Sequence, residues 1–116
     1  MDKNSLYDKL ESFSKLQYDW DGYCADPISN LTIENTRNLL SKLKDDWEIF
    51  PVNNGTIQVE KELDKIFCIE IEVSESGYEF MFFKYNVEVG NNCYTIESGK
   101  KFKINEIDDL IKEIEK

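Results

Sequence analysis

The sequence contains no histidine, and Arg37 is its only arginine. The first absence removes the side chain that most often serves as general base near neutral pH and as metal ligand. The second leaves no clustered guanidinium forks to grip phosphate. Cysteine is sparse: Cys24, Cys68 and Cys93 are widely spaced and odd in number, and no Cys-x-x-Cys pair occurs. Without histidine a zinc site would need carboxylates to complete it. The expectation is therefore free thiols in a reducing compartment, with no metal and no cofactor. Long apolar runs are missing too. The longest extends from Phe80 to Phe83, far below the ~20 residues of a spanning helix. Met1-Asp2-Lys3-Asn4 is polar and leads into a charged amphipathic stretch, which predicts no signal peptide. These absences point to a cytoplasmic protein with no membrane contact. No P-loop, dinucleotide fingerprint or nucleophile with a base is present either.

What the chain has is acid. There are 24 acidic residues against 14 basic ones, a net charge of −10 on 116 residues. Such a field selects basic partners and repels nucleic acid. Hydrophobic residues make up 41% and aromatics 13%, enough to build a core and argue against global disorder. The length suits one domain, residues 1–116.

Apolar residues recur with helical period at Leu6, Leu10, Phe13 and Leu16, with Asn4 or Ser5 available to cap the start. This helix should stop before Asp19, where Trp20-Asp21-Gly22-Tyr23 reads as a turn with Gly22 at positive φ. Ser29 is a good N-cap for a second helix, and Ile28 before it can reach Ile33. Ile33, Leu39, Leu40 and Leu43 form its buried stripe, and it should end near Asp45, before Trp47 and Pro51. The period then changes to two. Ile57 and Val59, then Phe67 to Val73, then Tyr78 to Phe83, then Val87 to Val89, and finally Cys93 to Glu97 read as strands. Asn53-Asn54-Gly55, Ser74 to Gly77 and Gly90-Asn91-Asn92 turn the chain between them. Lys100, Lys101 and Lys103 read as a solvated turn before a last helix. Asn105 would cap that helix, with Glu106, Asp108 and Asp109 in its first turn and Ile107, Leu110, Ile111 and Ile114 on one face. The predicted fold is α+β: two N-terminal helices, an antiparallel sheet of about five strands and a C-terminal helix. The helices form a single layer on one sheet face.

The segment Trp20-Asp21-Gly22-Tyr23-Cys24-Ala25-Asp26-Pro27-Ile28-Ser29 resembles a family of small uncharacterised prokaryotic proteins. They share a Trp-Asp-Gly-Tyr-x-Ala-x-Pro-Ile-Ser pattern between two helices. In that family a proline, an Asn/Asp-Gly turn and a strand alternating hydrophobic and acidic residues follow. Pro51, Asn54-Gly55 and Ile57 to Glu60 look like that second part. The resemblance covers about the first 75 residues and implies an α+β fold with no catalytic assignment. Where the family strand often closes on Glu-Trp, this chain has Glu60-Lys61. Physically, Trp20 and Tyr23 flank a glycine turn and are expected to plug the gap between the helices and the sheet. The alternative is a partner contact made by these aromatics.

Asp19-x-Asp21-Gly22 does not make a calcium loop. Aligning Gly22 with that loop's glycine puts Gln17 at the first ligand position and Ile28 where the bidentate Glu belongs. The sheet is the stronger candidate site. If its apolar alternates face the helices, Glu60, Glu70, Glu72, Glu79 and Glu88 point the other way, with Glu97 a further candidate. Between residues 57 and 97 there are nine acids and three lysines. A face kept only for solubility usually mixes both signs, and like charges opposed across strands repel. Met81 and Phe83 share this face as apolar anchors. The expected function is that of an acidic, non-enzymatic binding protein. It would inhibit a basic nucleic-acid-handling partner, a nuclease or CRISPR effector, by covering its nucleic-acid-binding surface. An anti-CRISPR or anti-defence-type inhibitor, or an antitoxin-like neutraliser, would fit this expectation. The alternative is a structural or assembly subunit that self-associates through the sheet face or its edge strand. A third class is a small enzyme using carboxylates alone.

Overall fold

Polar side chains set where each helix begins. In the computed structural model, which describes residues 2–44, 46–85 and 94–115, α1 runs from Lys3 to Phe13. Asp2 caps it: its carboxylate accepts the Ser5 N–H at 2.8 Å, which places the start ahead of Asn4 and Ser5. The helix stops before Asp19, as expected, and leaves Leu16 outside it. Ser14, Lys15 and Leu16 bond back three residues, a tightened turn that ends the α-helical ladder. α2 (Asn30–Lys42) is capped by Ser29, whose Oγ accepts the Thr32 N–H at 3.2 Å. It ends at Lys42 because Leu43 turns extended, with ψ 150°, and the side chain of Leu43 is buried all the same.

Five strands follow: β1 (Glu48–Pro51), β2 (Ile57–Glu62), β3 (Phe67–Val73), β4 (Gly77–Tyr85) and β5 (Tyr94–Lys103). They pair in chain order, each antiparallel to the next. β1 was not expected. Its proline is tolerated because β1 is an edge strand that needs no N–H there. The lysines expected in a turn lie instead inside β5, where Lys100, Lys101 and Lys103 pair with Phe80, Glu79 and Gly77. Phe102 between them is buried and ties that stretch to the core. Glu88, Val87, Val89, the Gly90-Asn91-Asn92 turn and Cys93 lie outside the described residues. A 3-10 turn (Ile104–Glu106) leads into α3 (Ile107–Ile114). Asn105 falls inside that turn and does not cap α3. The Glu106 carboxylate closes it by accepting the Lys103 N–H at 2.8 Å.

All three helices lie on one sheet face, α1 against β1, α2 against β2 and β3, and α3 against β4 and β5. The inward alternates Ile49, Val59, Ile71 and Phe80 make one buried row across the strands, and Ile57, Val73, Tyr78 and Phe102 make the next. Phe67 and Phe82 share this face at its half-buried margin, with ring centroids 5.2 Å apart. The buried amide of Asn35 on α2 donates to the Ser74 and Glu75 carbonyls at 3.0 and 3.3 Å, which pins the β3–β4 turn to the helix layer. Gly77 opens β4 there. A Cβ at this position would sit 2.2 Å from the Phe102 carbonyl oxygen, so only glycine lets the two strands close.

Candidate functional site: the open face of the sheet

With the helices on one side, the outward alternates of five strands are left uncovered by the described elements. Strand register arranges them in rows. Glu48, Glu60, Glu70 and Met81 stand side by side across β1 to β4. Phe50, Gln58, Glu72, Glu79 and Lys101 form the row on one side, and Glu62, Cys68, Phe83 and Ile96 the row on the other. Neighbouring strands lie about 4.8 Å apart, so the carboxylates of each row are in direct cross-strand contact range. The structure thus brings together Glu60, Glu70, Glu72, Glu79, Met81 and Phe83, while Glu88 lies outside the described residues.

Several contributors were not anticipated, Phe50 of β1 and Lys101 of β5 among them. Glu48 sits on the unexpected strand. Glu62 extends β2 beyond its apolar alternation. Ile96, 62% exposed, reaches this face through a bulge opposite Phe82 and Phe83 that displaces Glu97 from the regular ladder. The period of β5 alone carries no mark of that bulge. The face is therefore divided: carboxylates dominate over β1 to β3, and Met81, Phe83 and Ile96 gather over β4 and β5. Glu60, Lys61, Glu62, Glu70, Cys68 and Phe83 border a shallow depression of about 330 Å3 at the junction.

Hydrogen bonds hold part of this arrangement. Gln58 Nε2 donates to Glu60 at 2.7 Å, and Thr56 Oγ1 donates to Glu72 at 2.9 Å. No ion pair to these carboxylates is found among the described residues. The ion pairs lie elsewhere: Arg37 joins Glu11 and Glu34 on the helix layer, Lys42 meets Asp108, and Lys100 meets Glu113. The consequence shows at Glu70, where partial burial first, and then the Glu60 charge opposite, push the carboxyl above its ordinary value. The Cys68 thiol is pushed up by burial and then by Glu70, Glu60 and Glu62. A thiol held protonated in this way is a poor nucleophile.

The loop around Trp20 is built for its own closure. The Asp19 carboxylate accepts the Cys24 N–H at 2.6 Å, and that of Asp21 accepts the N–H groups of Tyr23 at 2.7 Å and Ala25 at 3.2 Å. Trp20 Nε1 donates to the Asp26 carbonyl at 2.8 Å. Gly22 has φ +78°, as its turn position requires. The packing expectation holds only partly. Trp20 is half-buried, Ala25 and Ile28 are buried, but Tyr23 is 85% exposed and plugs nothing. The loop docks on the β1–β2 turn, where the Asp26 N–H reaches the Asn53 carbonyl at 2.8 Å. A Cβ on Gly55 would meet the Pro27 carbonyl oxygen at 3.2 Å.

Among the described residues, no group of three or more Cys, Asp or Glu side chains is disposed to hold a metal ion. Cys24 and Cys68 are both free, and no described helix is long and apolar enough to cross a membrane. Fold and face together define an α+β domain with one covered and one open sheet surface. No family model, curated protein or solved structure matches this chain.

Proposed function

We propose that the open sheet face docks a basic, nucleic-acid-handling protein and covers the surface that protein uses to hold nucleic acid. In this reading the chain is a non-enzymatic, cytoplasmic inhibitor of anti-CRISPR, anti-defence or antitoxin type, and its partner is a nuclease or CRISPR effector. It contacts neither nucleic acid nor membrane. One observation carries the proposal: the row Glu48, Glu60 and Glu70, flanked by Glu72 and Glu79, has no ion-pair partner among the described residues and runs directly into Met81, Phe83 and Ile96. Carboxylates set in mutual repulsion lower the stability of the free protein and gain most when a cationic surface arrives. The apolar corner supplies the desolvated contacts that slow dissociation.

The assembly reading has less support. Face-to-face self-association would oppose like charge. Both edges also carry features that discourage pairing: β1 is four residues long and ends in Pro51, and β5 has a bulge and three lysines. Kinship with the Trp-Asp-Gly-Tyr family is likewise a proposal, supported by the contact between the Asp26–Pro27 segment and the Asn53–Gly55 turn.

The test begins with affinity capture of host proteins on the wild-type chain and on a Glu70→Lys/Glu72→Lys/Glu79→Lys variant. Association and dissociation rates of the captured partner are then measured at two ionic strengths. The variant should stay folded, since the three carboxylates are half-buried at most, lie away from the core and have no ion pair to lose among the described residues. It should lose most of its association rate at low salt, whereas Met81→Ser or Phe83→Ser should raise dissociation. Unchanged binding by the triple variant would remove the acidic face from the mechanism.

A further inference from the structure

Two glycines lie in the β4–β5 ladder, Gly77 and Gly99. The fold requires the first, because a Cβ on Gly77 would collide with the Phe102 carbonyl oxygen. It does not require the second. A Cβ built on the exposed Gly99 would meet only the Phe80 carbonyl oxygen, at 3.8 Å, an ordinary contact. Gly99 does not use the left-handed region either, which Gly22 and Gly55 alone occupy among the described glycines. It pairs regularly with Met81, one step beyond the bulge opposite Phe82 and Phe83. Glycine weakens the interior of a strand, and one that neither backbone nor packing requires leaves room for another molecule to come close. The room lies on the open face. Met81 stands at the centre of a cross there, with Glu70 opposite it on β3 and Gly99 opposite it on β5. Glu79 and Phe83 lie two residues to either side of it along β4. Gly99 therefore sets no side chain beside Met81 on β5, and the result is a notch with the thioether as its wall. Lys101 faces Glu79 across the ladder. Glu70, at the far side of Met81, has no ion pair among the described residues and has Glu60 behind it.

We propose that this notch receives an arginine side chain of the docking partner, its aliphatic stem over Gly99 against Met81 and its guanidinium on the Glu70 carboxylate. The inference rests on the reading that the open face docks a basic protein, and it adds which group of that protein is the anchor. Strands about 4.8 Å apart put Glu70 two strands from Gly99, a span that an extended arginine and an extended glutamate cover together. Arginine fits both halves of the site. Its stem covers apolar surface while its head stays charged, and its weakly hydrated planar fork pairs with a carboxylate through two parallel bonds. Lysine presents a compact, strongly hydrated charge and gains less from the same contact. Any side chain at position 99 would occupy the place of the stem.

Gly99→Val fills the notch without touching a charge. It should leave the melting temperature unchanged or raise it, since valine suits a strand better than glycine. It should weaken binding of the captured partner about tenfold or more, chiefly through faster dissociation, and Gly99→Ala should fall between the two. A Gly99→Val chain that unfolds, or melts well below wild type, would show that the strand itself needs glycine and would overturn the proposal. Full-strength binding by a stable Gly99→Val chain would overturn it too, and if the Glu70→Lys/Glu72→Lys/Glu79→Lys variant has meanwhile lost binding, the acidic-face reading stands without the arginine anchor. Unchanged binding by that triple variant would remove both. The chemistry of the anchor is tested without the partner, using six-residue peptides that alternate glycine with arginine or glycine with lysine. Titrated into protein labelled at its methionine methyl groups, the arginine peptide should give a saturable shift at Met81 and bind several-fold more tightly than the lysine peptide. On Gly99→Val the two peptides should bind alike. Equal binding of both peptides to the wild type, or an arginine preference that survives Gly99→Val, would overturn the assignment.

Discussion

Glu70→Gln should make this protein more stable. Glu70 stands directly opposite Glu60, which in turn faces Glu48 on its other side, and its carboxyl is pushed above the ordinary value of 4.5 by burial and then by the Glu60 charge. A like-charge pair directly opposed across strands costs about 0.2–1 kcal/mol. Removing it should therefore raise the melting temperature by about 1–4 °C in a domain of this size. The new amide can also donate toward Glu60, which keeps its own bond from Gln58. The sign with pH follows from linkage. A carboxyl whose folded value is raised holds its proton more tightly folded than unfolded, so the wild type loses stability as pH rises from about 4.5 through the raised value. The advantage of Glu70→Gln should be absent in acid, open across that interval and stay constant above it. Glu60→Gln should gain at least as much, because Glu60 faces both Glu48 and Glu70, and adding Glu70→Gln to it should gain little more, because the pair is already relieved. Urea unfolding of the four proteins between pH 3.5 and 8 provides the measurement. A Glu70→Gln variant that is less stable than wild type at pH 7, or equally better at every pH, would refute the account of an uncompensated row. The same substitution should weaken partner association, which links the instability of the face to its proposed use.

Gly77→Ala should lose about 1–3 kcal/mol in urea unfolding because the added Cβ would collide with the Phe102 carbonyl oxygen at 2.2 Å; a change within experimental error would show that the strands yield. Trp20→Phe should cost about 0.5–1.5 kcal/mol, the net worth of the indole bond to the Asp26 carbonyl, and a loss several times larger would mean that the loop closure holds the helix layer together. Tyr78 is buried with its hydroxyl unpartnered among the described groups, so Tyr78→Phe should leave thermal stability unchanged or raise it, and clear destabilisation would reveal a bond to that hydroxyl.

The helices and the inward faces of β2, β3 and β4 were legible in the sequence because their signals are local. Ser29 before an apolar stripe, and the strict alternation of Phe67 to Val73, depend only on neighbours along the chain. The acidic face followed, since a period of two sends Glu70 and Glu72 away from Ile69 and Ile71 whatever the strand pairs with. Register was not legible, and it decides the chemistry. That Glu48, Glu60 and Glu70 stand in one row is a property of three strands at once. The Glu48–Pro51 strand shows too few alternations to be read alone, and a proline argues against it; its pairing with Ile57 to Glu60 makes it a strand. Lys100 to Lys103 read as a turn because their charges favour water, but the exposed edge of β4 supplies hydrogen bonds and Phe102 supplies burial. Tyr23, by contrast, had the composition of a core residue and lies in solvent, because Asp19 and Asp21 close the loop on its own backbone and leave the ring outside. The sequence by itself determined which residues alternate and that two helices precede the strands and one follows them. Only the tertiary structure decided which of those residues meet, because a cross-strand contact is set by the free energy of the whole sheet and not by any one of its strands.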